Sequence, residues 1–463
     1  MNANPDSLRQ IASCLSGYDP DSLPVAQAQA FIARLVQPVR EIEHVGLRDA
    51  LGRILAEDVV SPIDVPASDN SAMDGYALRA ADLAADGSTS RLRIVGEAFA
   101  GRSFAGAVGP GECVRIMTGA VMPVGLDTVV PQEFVQADAE GVRVPGAVVR
   151  LGDNRRLAGE DLARGEPALA AGRRLRPADL GLLASLGQGE VPVFRRLRVA
   201  FFSTGDELRS LGQPLEEGCV YDSNRYTLWG MLQRLGVEVL DLGVVRDEPV
   251  ALAAAFRQAA ASADAVITSG GVSVGEADHT KLVMASLGDV LFWRIAMRPG
   301  RPMAIGRIGA GAAAETAAPA GDPSRARADA TATMSSPDPW SDAASRPALL
   351  FGLPGNPVAV MVTFYAFVRD ALLALGGATP EPLPLLRAVS TAPIRKKVGR
   401  TEYQRGVLGR GPDGRPSVTL TGGQGSGILR SMSQAHAFIV LHHDQGEVAA
   451  GDEVDVLAFD GLV

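Results

Sequence analysis

Cysteine is scarce in this chain of 463 residues: Cys14, Cys113 and Cys219 stand far apart and form no CxxC pair. That excludes a disulfide framework and a cysteine zinc site, and it is the usage of a reduced, intracellular protein. Histidine is scarce too. The five present include His442-His443 but no HExxH, so that pair reads as a solvated turn and not as a metal site. A basic excess is also missing, with Lys+Arg 44 against Asp+Glu 53 and a net charge of −9. Nucleic acid is thereby excluded as a partner, because a polyanion needs a basic face; a small anion needs only a local basic patch. Met1 to Tyr18 lacks a basic stretch followed by an apolar core, so no signal peptide is expected. The longest strongly apolar run, Val358 to Val368, is followed by Arg369-Asp370. It is too short to span a bilayer and reads as a buried core helix. The expectation is a cytoplasmic protein with no membrane partner. Finally, Gly309 to Pro347 contains no Leu, Ile, Val or Phe. Such a tract cannot bury enough apolar surface to offset its ordering entropy, and it is expected to be a disordered insert.

The remainder is an ordinary globular composition, 46% hydrophobic and 21% charged. Its length suggests about three domains. Ala26 to Leu35, Leu47 to Leu55 and Asp179 to Leu186 have the spacing of helices. Between Arg91 and Val149 the texture changes to short Val/Ile runs broken by Gly and Pro, which predicts a small β-rich domain inserted into a helical one. From Leu197 onward strand, loop and helix alternate. Strands are predicted at Leu197 to Phe202, Val237 to Leu242 and Ala265 to Thr268, with helices at Arg225 to Leu235 and Ala251 to Ala261. Two more strands, Met303 to Ile305 and Ala348 to Leu353, flank the insert, and from Leu383 a β-domain closes the chain. Alternation of this kind implies a parallel sheet covered by helices on both faces.

Ligands in such sheets collect beyond the carboxyl ends of the strands. Here the predicted strands end in Ser203-Thr204-Gly205-Asp206-Glu207, in Gly243-Val244-Val245-Arg246-Asp247, and in Ser269-Gly270-Gly271-Val272-Ser273-Val274-Gly275-Glu276-Ala277-Asp278-His279-Thr280-Lys281. The third is the densest chemistry in the chain. Glycines let bare N–H groups face an anion, and Glu276 and Asp278 with Lys281 behind them suit a metal held against a phosphate. Pro354-Gly355-Asn356-Pro357 follows a fourth strand and opens a helix, where N–H groups also suit an anion. Arg294, Arg298 and Arg301 cluster around Pro299-Gly300 and supply guanidiniums for an oxyanion. Tyr221-Asp222-Ser223-Asn224 opens a helix, with Asp222 or Ser223 either its N-cap or part of the site.

Read in order, the motifs form a series. Asp69-Asn70-Ser71-Ala72-Met73-Asp74-Gly75-Tyr76-Ala77 is followed by Arg115-Ile116-Met117-Thr118-Gly119-Ala120 and Gly159-Glu160-Asp161. The strand-end motifs come next, and Glu402-Tyr403-Gln404-Arg405-Gly406 and Gly425-Ser426-Gly427 complete the series. From about Val25 to the C-terminus the chain resembles the molybdopterin molybdenumtransferases, the molybdenum insertases that include the E domain of gephyrin.

That resemblance implies insertion of molybdate into the dithiolene of adenylylated molybdopterin with release of AMP, assisted by Mg²⁺. It also implies a multidomain α/β protein whose central three-layer α/β domain, residues 191–376 with the insert at 309–347, binds molybdopterin. A flexible tail would cover 1–23, a helical linker domain 24–61 with 151–190, an inserted β-rich domain 62–150 and a C-terminal β domain 377–463. An elongated homodimer would share each active cleft between subunits, and other proteins of the cofactor pathway are candidate partners. The implied roles place Asp247 and Asp278 as the acidic, magnesium-linked pair, with Glu207, Asp74, Asp161 and Thr118 as further cleft residues. Arg298, Arg405 and Ser426 match positions that hold molybdate. Ser269, Gly270, Gly271, Ser273, Gly275, Glu276 and Lys281 join Arg294, Pro299, Pro354, Gly355 and Asn356 as binding residues. Departures from the family pattern are Ala67-Ser68 where Pro-Phe is common, arginine at 294 and 298 where lysine is common, and the insert.

Two other readings compete. A scaffold protein on the same fold would be favoured by loss of Asp247 or Asp278, and both are present. An unrelated nucleotide-binding enzyme predicts a GxGxxG or P-loop after the first sheet strand, and neither occurs there.

Overall fold

The computed structural model describes residues 8, 19–272, 279–309 and 346–459. It divides into two compact units, one of Met1–Glu43 with Phe194–Val463, the other of His44–Val193.

The first unit is built on a six-stranded sheet. In chain order its elements are β1 (Arg198–Thr204), α1 (Ser223–Leu235), β2 (Glu238–Val245), α2 (Pro249–Ser262), β3 (Ala265–Ser269), α3 (His279–Leu287), β4 (Gly288–Arg294), β5 (Pro302–Ile308), β6 (Ala348–Leu353) and α4 (Pro357–Thr363). The spatial order is β2-β1-β3-β6-β5-β4. The first four strands are mutually parallel, whereas β5 runs antiparallel to both its neighbours. Alternate residues of β1 point to opposite faces, as strand geometry requires. Val199 and Phe201 enter one core with α1 and α4, while Ala200 and Phe202 enter another with α2 and α3. The result is three layers. The apolar helix behind β6 runs from Pro357 to Leu375, with a π-turn at Phe364–Val368, and 78% of it lies buried inside the fold. It is longer than the run expected from the sequence and, by length and composition alone, could cross a membrane, but its burial makes it a core helix.

A second sheet follows in the same unit. Strands Thr401–Arg410, Pro416–Leu420, Leu386–Ser390, Glu453–Ala458 and Ala437–Leu441 pair in that order, and the last pairs back onto the first. They close a small barrel. Its lip carries one more short strand, Met297–Arg298, which pairs in parallel with Thr401 and Glu402.

The second unit contains a six-stranded sheet in which Gly75–Leu78 lies between Thr128–Pro131 and Glu112–Ile116. Three expectations need correction here and at its borders. Leu47–Leu55 is a run of turns and not a helix. Its backbone is satisfied from outside, Leu47 N–H by Gly189, Gly52 N–H by Leu175 and Leu55 N–H by Arg173, so the apolar spacing serves a bridged loop. Nor do 24–61 and 151–190 make a helical domain. The helix Val25–Leu35 belongs to the sheet unit, with Phe31 edge-on to Trp293 at 5.0 Å, and Pro177–Ser185 is the one α-helix described in the second unit. The expected tail 1–23 also does not extend to its stated end, because Leu23 is fully buried and its N–H donates to Arg294 O at 3.1 Å. Residues 310–345 of the expected insert lie outside the described residues. Its two ends do not. Ile308 and Ala348 are register partners across β5 and β6, and Arg346 donates to Pro38 O at 3.2 Å and also to Gln37 O.

Candidate functional site

The order β2-β1-β3 puts a topological switch between β1 and β3, since α1 and α2 cover opposite faces of the sheet. A crevice opens at the carboxyl edge of such a switch. Register fixes what stands there: Ser203 opposite Ser269, Thr204 opposite Val245, and Ser269 opposite Leu353. Gly270 takes φ +97°, and a Cβ on it would lie 2.3 Å from Thr204 O. Gly271 takes φ +66°, with a Cβ position 2.4 Å from Thr280 Oγ1. Only glycine allows this close turn.

The edge is rich in buried polar atoms that lack partners among the described residues: Ser203 Oγ, Thr204 Oγ1, Thr268 Oγ1, Asn224 Oδ1 and Asp222 Oδ2. Buried polar groups are ordinarily paired, so a concentration of unpaired ones marks a functional edge. Asp222 is the N-cap of α1, its Oδ1 accepting from Arg225 N–H at 3.1 Å, while its other oxygen remains unpaired. Half-buried Asp247 follows β2 and accepts the Thr280 hydroxyl at 3.3 Å, which ties that carboxylate to the start of α3. Glu207 is exposed and Lys281 half-buried beside the same strand ends. Ser273, Gly275, Glu276 and Asp278 lie outside the described residues.

Among the described residues Arg405 is the largest fully buried side chain, 1% exposed. Its Nε donates to Ser431 Oγ at 3.0 Å. Nη1 donates to Gln424 O at 3.3 Å, and Nη2 to Gly423 O at 3.2 Å and Gly425 O at 3.0 Å. Every one of these acceptors is neutral. Burial pushes the guanidinium down to about 10, and the positive charge of nearby Arg298 adds to the shift. It is therefore a cation at neutral pH. The loop that Arg405 shapes leads into Ser426, whose carbonyl accepts from Val358 N–H at 3.1 Å. The opening of α4 is consequently less free for an anion than its sequence suggests, because Pro357 has no N–H and that of Val358 is taken. Arg298 is exposed on the barrel lip, and Gly355 and Asn356 are exposed while Pro299 and Pro354 are buried. Arg294 is turned to the surface, 3.5 Å from Asp21.

In the second unit Asp74 and Thr118 meet, although they are 44 residues apart. Asp74 Oδ1 accepts both the N–H and the hydroxyl of Thr118 at 2.7 Å. Those bonds, the backbone one first, hold its carboxyl below the ordinary range. The strand before it is anchored by Asp69, which accepts from Ala158 N–H at 2.8 Å and from Arg155 Nε at 2.9 Å. Asp161 is exposed on the same unit.

Sequence reasoning assigned no role to Asn224, Gln424 or Thr280, although the first and last stand within motifs it singled out. A signal existed for the first. Asn224 occupies the buried face of α1 together with Leu228, Met231, Leu232 and Leu235, where a polar residue needs a reason. Among the described residues no group of three or more His, Cys, Asp or Glu gathers in a metal-binding arrangement.

Comparison with known proteins decides the family. Residues 23–187 match the MoeA N-terminal region (domain I and II), 200–374 a probable molybdopterin binding domain, and 387–459 the MoeA C-terminal region (domain IV). The chain is 38% identical over 442 residues to molybdopterin molybdenumtransferase of Haemophilus influenzae, covering 95% of this chain and 100% of that one. This chain is a molybdopterin molybdenumtransferase family member. The Nostoc enzyme of the same name is 37% identical over 429 residues, covering 90% of this family member and 89% of the relative. The crystal structure of the molybdopterin biosynthesis moeA protein of Pyrococcus horikoshii superimposes with a TM-score of 0.75 at 26% identity, covering 95% of this chain and 100% of that one.

Proposed function

We propose that this transferase of molybdenum cofactor biosynthesis inserts molybdenum from molybdate into adenylylated molybdopterin and releases AMP. The observation that carries the reading is Arg405: a buried guanidinium with only neutral partners, in the field of Arg298, shaping the loop that leads into Ser426. An uncompensated buried cation is costly unless an anion completes it. Molybdate is a tetrahedral dianion, suited to guanidinium charge, to the remaining N–H of Arg405 and to the Ser426 hydroxyl. The switch-point edge, 200–374 matching a molybdopterin binding domain, is the molybdopterin subsite.

The donors at that edge suit Mg²⁺. Asp247 and the Thr204 and Thr280 hydroxyls are oxygen ligands of the hard kind this ion prefers, and Asp278 would complete the acidic pair. When bound, the ion supplies neutralisation of the adenylate phosphate. Thr280 orients Asp247, and the glycines let the backbone approach the substrate. Glu207, Asp161 and the fastened Asp74–Thr118 pair are assigned to the cleft through the family resemblance. The same resemblance supports a cytoplasmic homodimer in which the Asp74 loop of one copy serves the cleft of the other, with pathway proteins as further partners.

Incubating the protein with adenylylated molybdopterin, molybdate and Mg²⁺ tests the reading. AMP should appear in a molybdate-dependent way. Absence of AMP with all three present refutes it.

A further inference from the structure

One polar side chain at the strand edge touches two binding loops at once. Asn224, the second residue of α1, is 7% exposed and held in place by the Asp222 cap before it. Its Nδ2 donates to Ser269 Oγ at 2.8 Å and to Gly355 O at 2.7 Å. Both amide hydrogens are therefore committed, one to the end of β3 and the other to the turn after β6. The two bonds have different consequences. A serine hydroxyl that accepts a bond must direct its own hydrogen elsewhere, and among the described residues nothing accepts from Ser269. A fixed Gly355 carbonyl in turn fixes the plane of the Gly355–Asn356 peptide.

We propose that Asn224 is a positioning residue for the molybdopterin subsite: it locks Ser269 as a hydrogen-bond donor to the substrate and clamps the Gly355 turn beside it. The inference rests on the reading of this edge as the molybdopterin subsite. An amide is needed for the task. A carboxylate of the same shape would accept from Ser269, reversing the hydroxyl, and would repel the Gly355 carbonyl.

The test uses Asn224→Asp, Ser269→Ala and the double variant in the full-length protein. Titration with molybdopterin is read alongside the KM for adenylylated molybdopterin. Asn224→Asp should weaken molybdopterin binding and raise that KM about tenfold, with kcat at saturation and the molybdate requirement little changed. The double variant should be no weaker than Asn224→Asp alone, because Ser269→Ala removes only a hydroxyl that Asn224→Asp has already turned away from the substrate. Unchanged affinity in Asn224→Asp, or effects that simply multiply in the double variant, would overturn the clamp. If Asn224→Asp does not fold, Asn224→Ser carries the same comparison, since it cannot span both acceptors. Wild-type protein that binds no molybdopterin would refute the reading of the edge itself, and that outcome is distinct from failure of the clamp alone.

Discussion

Asp74 and Arg405 solve the same problem in opposite surroundings. Each is a charged group held by neutral dipoles: Asp74 by the N–H and hydroxyl of Thr118, Arg405 by three backbone carbonyls and the Ser431 hydroxyl. Asp74 is only half-buried, so water still solvates part of its charge, and its environment makes the carboxylate easier to form. Arg405 is buried, and its environment makes the cation harder to keep. A fixed charge that water still reaches is cheap and says little about its purpose. A buried cation without a counter-charge opposes folding, and it is retained where an anion is to be bound. The barrel is thus the place where binding chemistry is written into stability, whereas the second unit holds its carboxylate almost free of that constraint.

Asp247 is half-buried like Asp74 but tied to a single hydroxyl, and it should show the largest functional effect. Asp247→Asn is expected to lower AMP release by about a hundredfold or more with an unchanged melting temperature. Wild-type turnover would remove it from the site.

Arg405→Met should affect both stability and function. Three loop carbonyls and a serine lose their donor, a cost of about 2–3 kcal/mol in denaturant unfolding, and the molybdate concentration needed for turnover should rise. Arg405→Lys keeps the charge but not the fork, so it should recover stability in part and the molybdate response less. A variant equally stable and equally responsive would break the comparison at its buried end.

At Asp74 the effect is smaller and depends on pH. Asp74 titrates below the ordinary carboxylate range in the folded protein, so its bonds to Thr118 favour the fold above that range. Their contribution is lost as pH falls through the depressed value. Thr118→Val removes the hydroxyl bond and should move the Asp74 titration upward, which NMR of the carboxyl carbon can follow. An unmoved titration would assign the shift to the backbone bond alone.

The smallest effect is expected from the insert. Deleting 310–345 with a short Gly-Ser bridge should leave melting and AMP release close to wild type, because Ile308 and Ala348 are already register partners. Those strand ends lie at the edge of the sheet opposite Leu353 and Ser269. Arg346 is best kept, since it donates to the carbonyls of Gln37 and Pro38.

Much of the sheet unit was legible from hydrophobic runs and from the polar residues that end them. Ala348 to Leu353 was bounded to the residue, and β1, β2 and β3 each within three residues of their ends. Leu47–Leu55 was misread because its apolar residues suggest a helix while the backbone of Leu47, Gly52 and Leu55 is bonded to residues more than a hundred positions away. No local pattern carries that information. The pairing of Met297–Arg298 with Thr401–Glu402 was hidden for the same reason, and so was the way Arg405 uses most of its donors on its own loop. Asp74 and Thr118 were each legible as candidates, but their mutual contact was not, because it depends on two strands meeting in one sheet.

The central claim is that the cation left uncompensated at Arg405 is completed by molybdate. Crystals grown with molybdate and measured at the molybdenum absorption edge test it most directly. An anomalous peak within hydrogen-bond reach of Arg405, beside Arg298 and Ser426, is the predicted result. A single strong peak elsewhere, with nothing at Arg405, would contradict it.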